Sequence, residues 1–304
     1  MQHVLSIKQF TDKQLLKKLY EKAAMFEASP LSEYPKPLQY LTMATVFFEP
    51  STRTRLSFET AIQNLGGQLL TVENASISSS DKKGESLEDT IKTLNAYADG
   101  IILRHPEIGS VDRAAAISKV PIISGGDGGG EHPTQALLEL YTIQKIKSKV
   151  DGLKVGIVGD LKHSRSHHSL IKLLSIYDVE LYLIAPKVIA LPEEQLAELK
   201  KLGVKYRVLD GWDDVIGELD VLYCNRIQKE RFKFIEDYQA VKDKYILNIQ
   251  TARKMKKDAI ILDPLPRINE IDPRVDTDPR AKYFDAVKNG LYVRMAVLDY
   301  IFAS

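Results

Sequence analysis

Short apolar runs alternate with segments of helical period along this chain, and no other feature of the sequence restricts the fold as strongly. The candidate strands are residues 100–103, 121–124, 154–158, 180–185, 220–223, 245–248 and 259–263. Residues 133–147 and 165–177 have the spacing of amphipathic helices, and residues 191–194, L-P-E-E, suit a helix start with proline in the first turn. Strands that alternate with helices predict β-α units around a mostly parallel sheet.

The length of the chain predicts more than one domain. A chain of 304 residues exceeds what one hydrophobic core usually supports, and 44% apolar with 27% charged residues is typical of a globular protein. The linker at residues 148–152 lies between a predicted helix and a new predicted strand. We therefore expect an α/β fold of two domains, each a mostly parallel sheet flanked by helices, with ligands at the carboxyl ends of the strands.

Charge and cysteine content exclude several classes of protein. Lysine and arginine number 42 against 41 aspartate and glutamate residues, so no overall positive field favours nucleic acid, and any anion site must be local. The single cysteine, Cys224, excludes an internal disulfide and a tetrathiolate zinc site. Lys8 interrupts the N-terminus too early for a signal peptide, and no stretch approaches the ~18 apolar residues of a membrane span. We expect a cytoplasmic protein that binds neither membrane nor nucleic acid.

The most informative segment lies at residues 47–59 and contains the run Ser51-Thr52-Arg53-Thr54-Arg55. The first turn of a helix leaves its backbone N–H groups unpaired within the helix, and with the positive end of the helix dipole they attract an anion. The hydroxyl and guanidinium groups of the same turn can donate to phosphate oxygens. The run therefore predicts a phosphate site, although alone it equally suits an N-capped helix with an exposed basic turn.

Two further motifs favour the phosphate site. His132-Pro133-Thr134-Gln135 follows a glycine-rich run at residues 125–130, and Arg104 follows the predicted strand at residues 100–103. With S-T-R-T-R, these motifs resemble the carbamoyl-phosphate signature of the aspartate/ornithine carbamoyltransferase family. The residues that the resemblance assigns to carbamoyl phosphate are Ser51, Thr52, Arg53, Thr54, Arg104, His132, Gln135 and Leu265.

The resemblance also implies a role for each side chain. Thr54, Arg104 and His132 contact the carbamoyl carbonyl oxygen, Gln135 contacts the carbamoyl amine, and Arg53 joins the first three as a catalytic residue. Negative charge builds on that oxygen when an amine attacks the carbon, and one hydrogen-bond donor there is typically worth roughly 3 kcal/mol. Because no motif joins a serine or cysteine nucleophile to a histidine base, direct attack is favoured over a covalent intermediate. We expect no cofactor and no metal ion.

A polar, serine-rich segment occupies residues 74–89 and contains the pattern S-x-x-K-K-G-E at residues 79–85. Most such segments are solvated loops. The resemblance implies instead that this segment reaches into the active site of a neighbouring subunit, with Ser79 and Lys83 contacting substrate. It therefore also implies a homotrimer with active sites at subunit interfaces.

Two motifs indicate which amine accepts the carbamoyl group. Aspartate carries two carboxylates and needs cationic donors, whereas the side chain of ornithine is itself a cation. Residues 159–170, G-D-L-K-H-S-R-S-H-H-S-L, resemble the aspartate branch of the family and place Arg165 on a substrate carboxylate. Residues 225–232 resemble its R-x-Q-x-E-R-F segment, which implies that Arg226 and Gln228 bind aspartate. Either arginine alone would better suit a surface salt bridge, but their joint placement after two predicted strands favours a substrate site.

A late loop completes the acceptor site. Residues 263–267 read D-P-L-P-R, where the aspartate branch usually has H-P-L-P-R, and the histidine-cysteine-leucine-proline loop of the ornithine branch is absent. The resemblance implies that two backbone carbonyls of this loop receive the amine. The residues assigned to aspartate here are Pro264, Leu265, Pro266 and Arg267, together with Lys83. We expect a cis peptide bond before Pro266, and Asp263, the clearest departure from the family pattern, predicts altered substrate affinity.

The resemblance covers nearly the whole chain, up to the motif L-Y-V-R-M-A at residues 291–296. It implies a carbamoyl-phosphate-binding domain at residues 1–132, an aspartate-binding domain at residues 133–285, and a C-terminal helix at residues 286–304 that packs back onto the first domain. The reaction implied is the formation of N-carbamoyl-L-aspartate and phosphate from carbamoyl phosphate and L-aspartate, in pyrimidine biosynthesis.

Some alternatives stay open. The acceptor could be another amine, of the ornithine type, or the chain could bind ligands without turnover, which only Asp263 supports. A dinucleotide site at residues 156–160 is disfavoured because the glycine spacing is not G-x-G-x-x-G. His163, His167 and His168 lack a convincing metal spacing and fit the surface or a supporting position behind the site. The sequence leaves open whether a regulatory chain associates with the trimer.

Overall fold

The computed structural model describes residues 2–73 and 84–303, which fall into two compact units. The first unit comprises Met1–Tyr141 and Val287–Ser304, and the second comprises Thr142–Ala286. The division at Tyr141 lies within one helix, Pro133–Lys147. Ser79 and Lys83 lie outside the described residues.

The first unit is built on a four-stranded parallel sheet. Its strands are β1 (Thr42–Phe47), β2 (Gln68–Glu73), β3 (Gly100–His105) and β4 (Ile122–Asp127), in the order β2-β1-β3-β4. The helices that connect or cover them are α1 (Lys13–Ala28), α2 (Thr52–Asn64), α3 (Leu87–Leu94), α4 (Ser110–Ile117), most of α5 (Pro133–Lys147), and most of the C-terminal helix (Tyr283–Phe302). The central strands β1 and β3 are almost entirely buried, as expected for a parallel sheet covered on both faces.

The second unit repeats this plan with five parallel strands. They are β5 (Lys154–Val158), β6 (Glu180–Ile184), β7 (Lys205–Leu209), β8 (Val221–Cys224) and β9 (Ile260–Leu262), in the order β7-β6-β5-β8-β9. The helices are α6 (Arg165–Leu174), α7 (Glu193–Lys201), α8 (Ile235–Val241) and α9 (Ile249–Lys254), and the C-terminal helix, α10, begins here at Tyr283. The expected fold class, α/β with two mostly parallel sheets flanked by helices, is confirmed.

Most predicted elements are present, but one predicted strand is wrong and several strands and helices were not predicted. The strand at residues 154–158 and the helix at residues 133–147 have their predicted bounds. The strand expected at residues 245–248 is wrong: Leu247 forms only an isolated bridge with Ile271. Asn248 ends that segment because its side chain accepts a hydrogen bond from the backbone of Thr251, 2.9 Å away, and caps α9. The elements without a prediction from the sequence are the strands β1, β2 and β7 and the helices α1, α4, α8 and α9.

Within each sheet, the strand register places the predicted site motifs at one edge. Arg104 on β3 lies between Phe47 on β1 and Gly126 on β4, so the segments that follow these strands emerge side by side. In the second unit, Val158 on β5 pairs with Cys224 on β8. Among the described residues, no helix is long and apolar enough to cross a membrane.

Candidate active site

The turn after β1 presents a helix N-terminus with its polar side chains. Ser51 is the N-cap of α2, with φ and ψ of −157° and 86° and no side-chain capping bond. Its hydroxyl instead accepts a hydrogen bond from Nη1 of Arg104, 3.2 Å away. Thr52 is exposed and Arg53 is half-buried in the first turn. This arrangement has the N–H groups, hydroxyls and cation that a phosphate group needs.

Arg104 is fixed at the end of β3 by two contacts. Nε donates to Oε2 of Glu49, 3.3 Å away, while Nη1 donates to Ser51. Burial lowers the pKa of the Arg104 guanidinium, Glu49 opposes this effect, and the charge of Arg53 adds to it. An arginine nevertheless remains protonated in proteins. Arg104 is therefore a pre-oriented, partly desolvated cation beside the N-terminus of α2.

The side chain of His132 contacts Thr54 in the first turn of α2. Oγ1 of Thr54 and Nε2 of His132 are 3.3 Å apart, and both side chains are buried, at 5% and 4% exposure. His132 immediately precedes α5, and one turn into that helix Nε2 of Gln135 donates to Oε1 of Glu139 at 2.7 Å. The structure thus brings Thr54 against His132, and Ser51 against Arg104, at one edge of the sheet.

The loop that carries His132 is tied down by its glycines and by Asp127. The Asp127 carboxylate accepts from the backbone of Gly109 at 2.8 Å and of Ser110 at 3.1 Å, which caps α4. Gly128 has a φ of +50°, and a Cβ there would lie 2.6 Å from the carbonyl oxygen of Pro106. Only glycine fits this close approach.

Arg55 has a different environment from Arg53. Its Nη1 donates to both carboxylate oxygens of Glu59 at 3.3 Å, and its Nη2 lies 3.2 Å from Glu73. Glu59 also accepts from the hydroxyls of Thr45 and Thr71. Arg55 pairs directly with Glu73 of β2, and through Glu59 it is linked to Thr45 of β1. Its two terminal nitrogens are therefore used in structural ion pairs.

In the second unit, Asp160 connects the segments after β5 and β8. Its fully buried carboxylate accepts from the backbone and from Nδ1 of His163, both at 3.0 Å, and from the backbone of Gln228 at 3.3 Å. The side chain of Asn225 donates to the hydroxyl of Ser164, the N-cap of α6. Arg165, half-buried at the start of α6, and Gln228 are thereby carried on two joined segments.

The other two cations of the predicted acceptor site are paired with carboxylates of the chain. Arg226 forms a two-pronged ion pair with Glu230, which raises the pKa of Arg226 and lowers that of Glu230. Arg267 forms a similar pair with Asp276, which raises its pKa, and also donates to the hydroxyl of Tyr283 at 3.0 Å. The spacing of four residues could have indicated Glu230, whereas no sequence signal indicates Asp276.

The predicted acceptor loop follows β9 directly. The peptide bond between Leu265 and Pro266 is cis, as expected, and Leu265 has a positive φ of 55°. Oδ1 of Asp263 accepts a hydrogen bond from the backbone of Leu265, 2.6 Å away. Positive φ is uncommon for a branched side chain and is often found at functional sites.

Burial changes the pKa values of Cys224, His167 and His168 so that their neutral forms are favoured. The Cys224 thiol is buried, and burial, with the charge of Asp263, raises its pKa well above the usual value, so it is a poor nucleophile. His167 and His168 lie behind the site, buried against the backbone carbonyls of Asp160 and Leu161. Within residues 2–73 and 84–303, no cluster of histidine, cysteine or acidic side chains could hold a metal ion.

Comparison with known proteins identifies the family. The model described as "Aspartate/ornithine carbamoyltransferase, carbamoyl-P binding domain" matches residues 2–145, and that described as "Asp/Orn binding domain" matches residues 151–301. The multifunctional protein pyr1-3 of Dictyostelium discoideum is 45% identical over 99% of this chain, although the match spans only 14% of that protein. The aspartate carbamoyltransferase catalytic subunit of Thermococcus onnurineus is 48% identical over 84% of this chain and 82% of its own length.

A solved structure agrees with these relatives. The crystal structure of aspartate transcarbamoylase from Trypanosoma cruzi in complex with carbamoyl phosphate and aspartate has a TM-score of 0.90 and 35% identity. The alignment covers 98% of this chain and 94% of that one. Both halves match the family models, and the relatives match at well above 30% identity over most of this chain. The chain therefore belongs to the aspartate/ornithine carbamoyltransferase family.

Proposed function

We propose that this chain transfers the carbamoyl group of carbamoyl phosphate to the amino group of L-aspartate, giving N-carbamoyl-L-aspartate and phosphate for pyrimidine biosynthesis. The observation that carries the proposal is the set of donors after β1, β3 and β4, where Ser51 contacts Arg104 and Thr54 contacts His132. The relative from Thermococcus onnurineus is named for this activity, and the Trypanosoma cruzi structure holds both substrates.

The first unit has the donors for carbamoyl phosphate. Ser51, Thr52 and Arg53, with the N–H groups of the first turn of α2, bind the phosphate. Thr54, Arg104 and His132 donate to the carbamoyl carbonyl oxygen, and the side chain of Gln135 accepts from the carbamoyl NH2 group. This assignment is supported by the 3.3 Å approach of Thr54 to His132 and by the two contacts that orient Arg104.

The second unit has the groups that aspartate needs. Arg165 and Arg226 bind the two carboxylates, assisted by Gln228, Arg267 and, from the segment outside the described residues, Lys83. The carbonyls of Pro264 and Leu265 receive the amine beside Pro266. Arg226 supports this role because its pair with Glu230 is partly exposed, and such pairs contribute little to stability. The pair can therefore open for a substrate carboxylate at small cost.

The reaction needs no covalent intermediate. The lone pair of the aspartate amine forms a bond to the carbonyl carbon, and negative charge moves to the carbonyl oxygen, where the donors stabilise it. The carbon–oxygen bond to phosphate then breaks, and phosphate leaves with the electron pair. We assign the amine proton to the departing phosphate, whose oxygens are basic enough to accept it.

We further propose a cytoplasmic homotrimer in which Ser79 and Lys83 reach a neighbouring active site. This proposal rests on the pattern S-x-x-K-K-G-E at residues 79–85, which resembles the family segment that enters a neighbouring site. Light scattering should give three times the mass of one chain. Mixing inactive Lys83→Gln and Arg104→Gln proteins should restore activity only if subunits share sites, and persistent inactivity of mixed trimers would count against sharing. Association with a regulatory chain would appear as a larger complex from cell extract.

The proposed reaction is tested by measuring the ureido product with purified protein and carbamoyl phosphate. L-Aspartate should give product, and Arg104→Gln should abolish most of it while leaving the folded state intact. Absence of product with the native chain would refute the proposal.

A further inference from the structure

Asp263 occupies an unusual position for an acidic residue. It follows the buried strand β9 and is itself only 2% exposed. Its Oδ1 accepts a hydrogen bond from the backbone N–H of Leu265, two residues later, at 2.6 Å. This is an Asx turn, in which a short acidic or amide side chain holds its own backbone in a bend.

The backbone N–H that Asp263 binds belongs to Leu265, the residue of this loop with an uncommon conformation. Leu265 has a φ of 55°, which a leucine rarely adopts. Such a backbone persists only where its surroundings specify it. The hydrogen bond from Leu265 to Asp263 is one such specification, and it acts on the residue with the uncommon φ.

The two ends of the loop are fixed independently. At its start, Asp263 follows Leu262, which pairs with Tyr223 of β8, and lies close enough to Cys224 to raise the pKa of that thiol. At its end, Arg267 is held by Asp276 and Tyr283. Residues 264–266 lie between these two anchors, and Asp263 bonds directly to the backbone of Leu265.

We propose that Asp263 is a positioning residue for the acceptor amine: its carboxylate fixes the backbone of Leu265, whose carbonyl receives the amine, and does not itself touch substrate. This inference rests on the proposed function. On this proposal, position 263 needs a hydrogen-bond acceptor at a fixed distance from the backbone of Leu265. Asp263 can therefore replace the histidine that the resembled family usually has there. The placement of a nucleophile strongly affects rate, and a shift of about 1 Å can cost about a hundredfold.

The test separates the hydrogen bond from the charge. Asp263→Asn keeps an acceptor oxygen at the same distance and removes the charge, whereas Asp263→Glu keeps the charge and moves the acceptor one bond further out. Asp278 is the matched control because its Oδ1 makes the same i+2 bond to the backbone of Arg280, at 3.0 Å, in the same unit. The readouts are kcat, the KM of each substrate and the thermal midpoint of each purified protein.

We expect Asp263→Glu to lower kcat by about tenfold or more, with the KM of carbamoyl phosphate within about twofold of native. Asp263→Asn should keep kcat within about threefold of native, and Asp278→Glu should leave kcat unchanged despite a similar fall in thermal midpoint. A native kcat in Asp263→Glu would overturn the inference, as would an equal loss in Asp263→Asn, because that variant keeps the acceptor oxygen. If the native chain forms no product, the proposed function fails first; if it is active and Asp263→Glu matches it, only this inference fails.

Discussion

At the scale of single residues, the candidate site pairs its cations with carboxylates of the chain. The pairs are Arg104 with Glu49, Arg226 with Glu230 and Arg267 with Asp276. They differ in exposure: the carboxylates of Glu230, Asp276 and Glu49 are 53%, 33% and 26% exposed. The pair of Arg226 is thus the easiest to exchange for a substrate carboxylate, since water can solvate the displaced Glu230.

Replacing Arg226 should weaken aspartate selectively. Arg226→Gln removes a two-pronged donor whose charged hydrogen bonds are worth about 1.5–3 kcal/mol, so the KM of aspartate should rise roughly tenfold to a hundredfold. The KM of carbamoyl phosphate should stay near native in the same steady-state assay. Arg274→Gln is the control because Arg274 is exposed and paired with Asp272 in the same unit. An unchanged KM for aspartate in Arg226→Gln would remove Arg226 from the site.

His132 should act on the chemical step. His132→Ala removes a donor from the carbonyl oxygen and should lower kcat by about 10²–10³-fold, the usual loss for one such donor. His3→Ala, in the same unit, removes a side chain that accepts a bond from the backbone of Ile122, and should leave kcat near native. Equal kcat values for the two variants would contradict the assignment of His132.

Buried histidines should make the fold sensitive to acid. Burial lowers the pKa of His167 from 6.5 to about 3, and it also lowers that of His168. The unfolded chain therefore binds more protons than the folded chain between pH 6.5 and 3, so stability falls as pH drops through this window. His167 alone should cost about 2 kcal/mol at pH 5 relative to pH 8. Urea unfolding at both pH values should show a smaller difference for His167→Asn than for the native chain; an identical difference would refute this origin.

At the scale of elements, the sequence predicts buried central strands better than edge strands. Unbroken apolar runs reveal β3, β5, β6, β8 and β9, because strands covered on both faces are apolar throughout. The edge strands β2 and β7 are largely exposed and mix polar with apolar residues, so no apolar run marks them. The buried strand β1 is interrupted by Thr45, whose hydroxyl is satisfied by Glu59. Because Thr45 interrupts the apolar run, the sequence pattern does not reveal β1 as a buried strand.

In the candidate site, too, motifs of contiguous residues are predicted from the sequence, whereas contacts between residues far apart in the chain are not. The motifs that lie at strand ends, such as Ser51-Thr52-Arg53-Thr54 and Arg226, are local and were identified from the sequence. The partners that hold them were not, because Glu49, Asp276 and the Asp160 contact with Gln228 depend on which segments the fold brings together. Arg55 shows the converse, since it has the same sequence context as Arg53 but pairs with Glu59 and Glu73.

The segment after β5 should tolerate no side chain at Gly159. This glycine has a φ of +112°, and a Cβ there would lie 2.1 Å from the carbonyl oxygen of Asn225, next to Arg226. Gly159→Ala should therefore displace the segment after β8 and raise the KM of aspartate about tenfold or more. Gly152→Ala is the control, because Gly152 also has a positive φ, +87°, but open space around its Cβ. A native KM in Gly159→Ala would show that the clash is relieved without moving Arg226.

At the scale of the whole molecule, two similar parallel sheets carry complementary chemistry. The first has a helix N-terminus, hydroxyls and a fixed arginine, which suit a phosphorylated carbonyl compound. The second has arginines on the segments after β5, β8 and β9, which suit a dicarboxylate. One family model matches residues 2–145 and the other matches residues 151–301, so the two models divide the chain close to where the two units divide it. We therefore expect the second unit to contribute most to the choice of acceptor.

The most direct test of this account offers the purified protein carbamoyl phosphate with either L-aspartate or L-ornithine and measures the ureido product of each. The arginines of the second unit attract two carboxylates and repel the ornithine side chain, so the account predicts product with aspartate and only background with ornithine. Product with ornithine alone would contradict the assignment of the acceptor, and no product with either would show that the chain binds ligands without turnover.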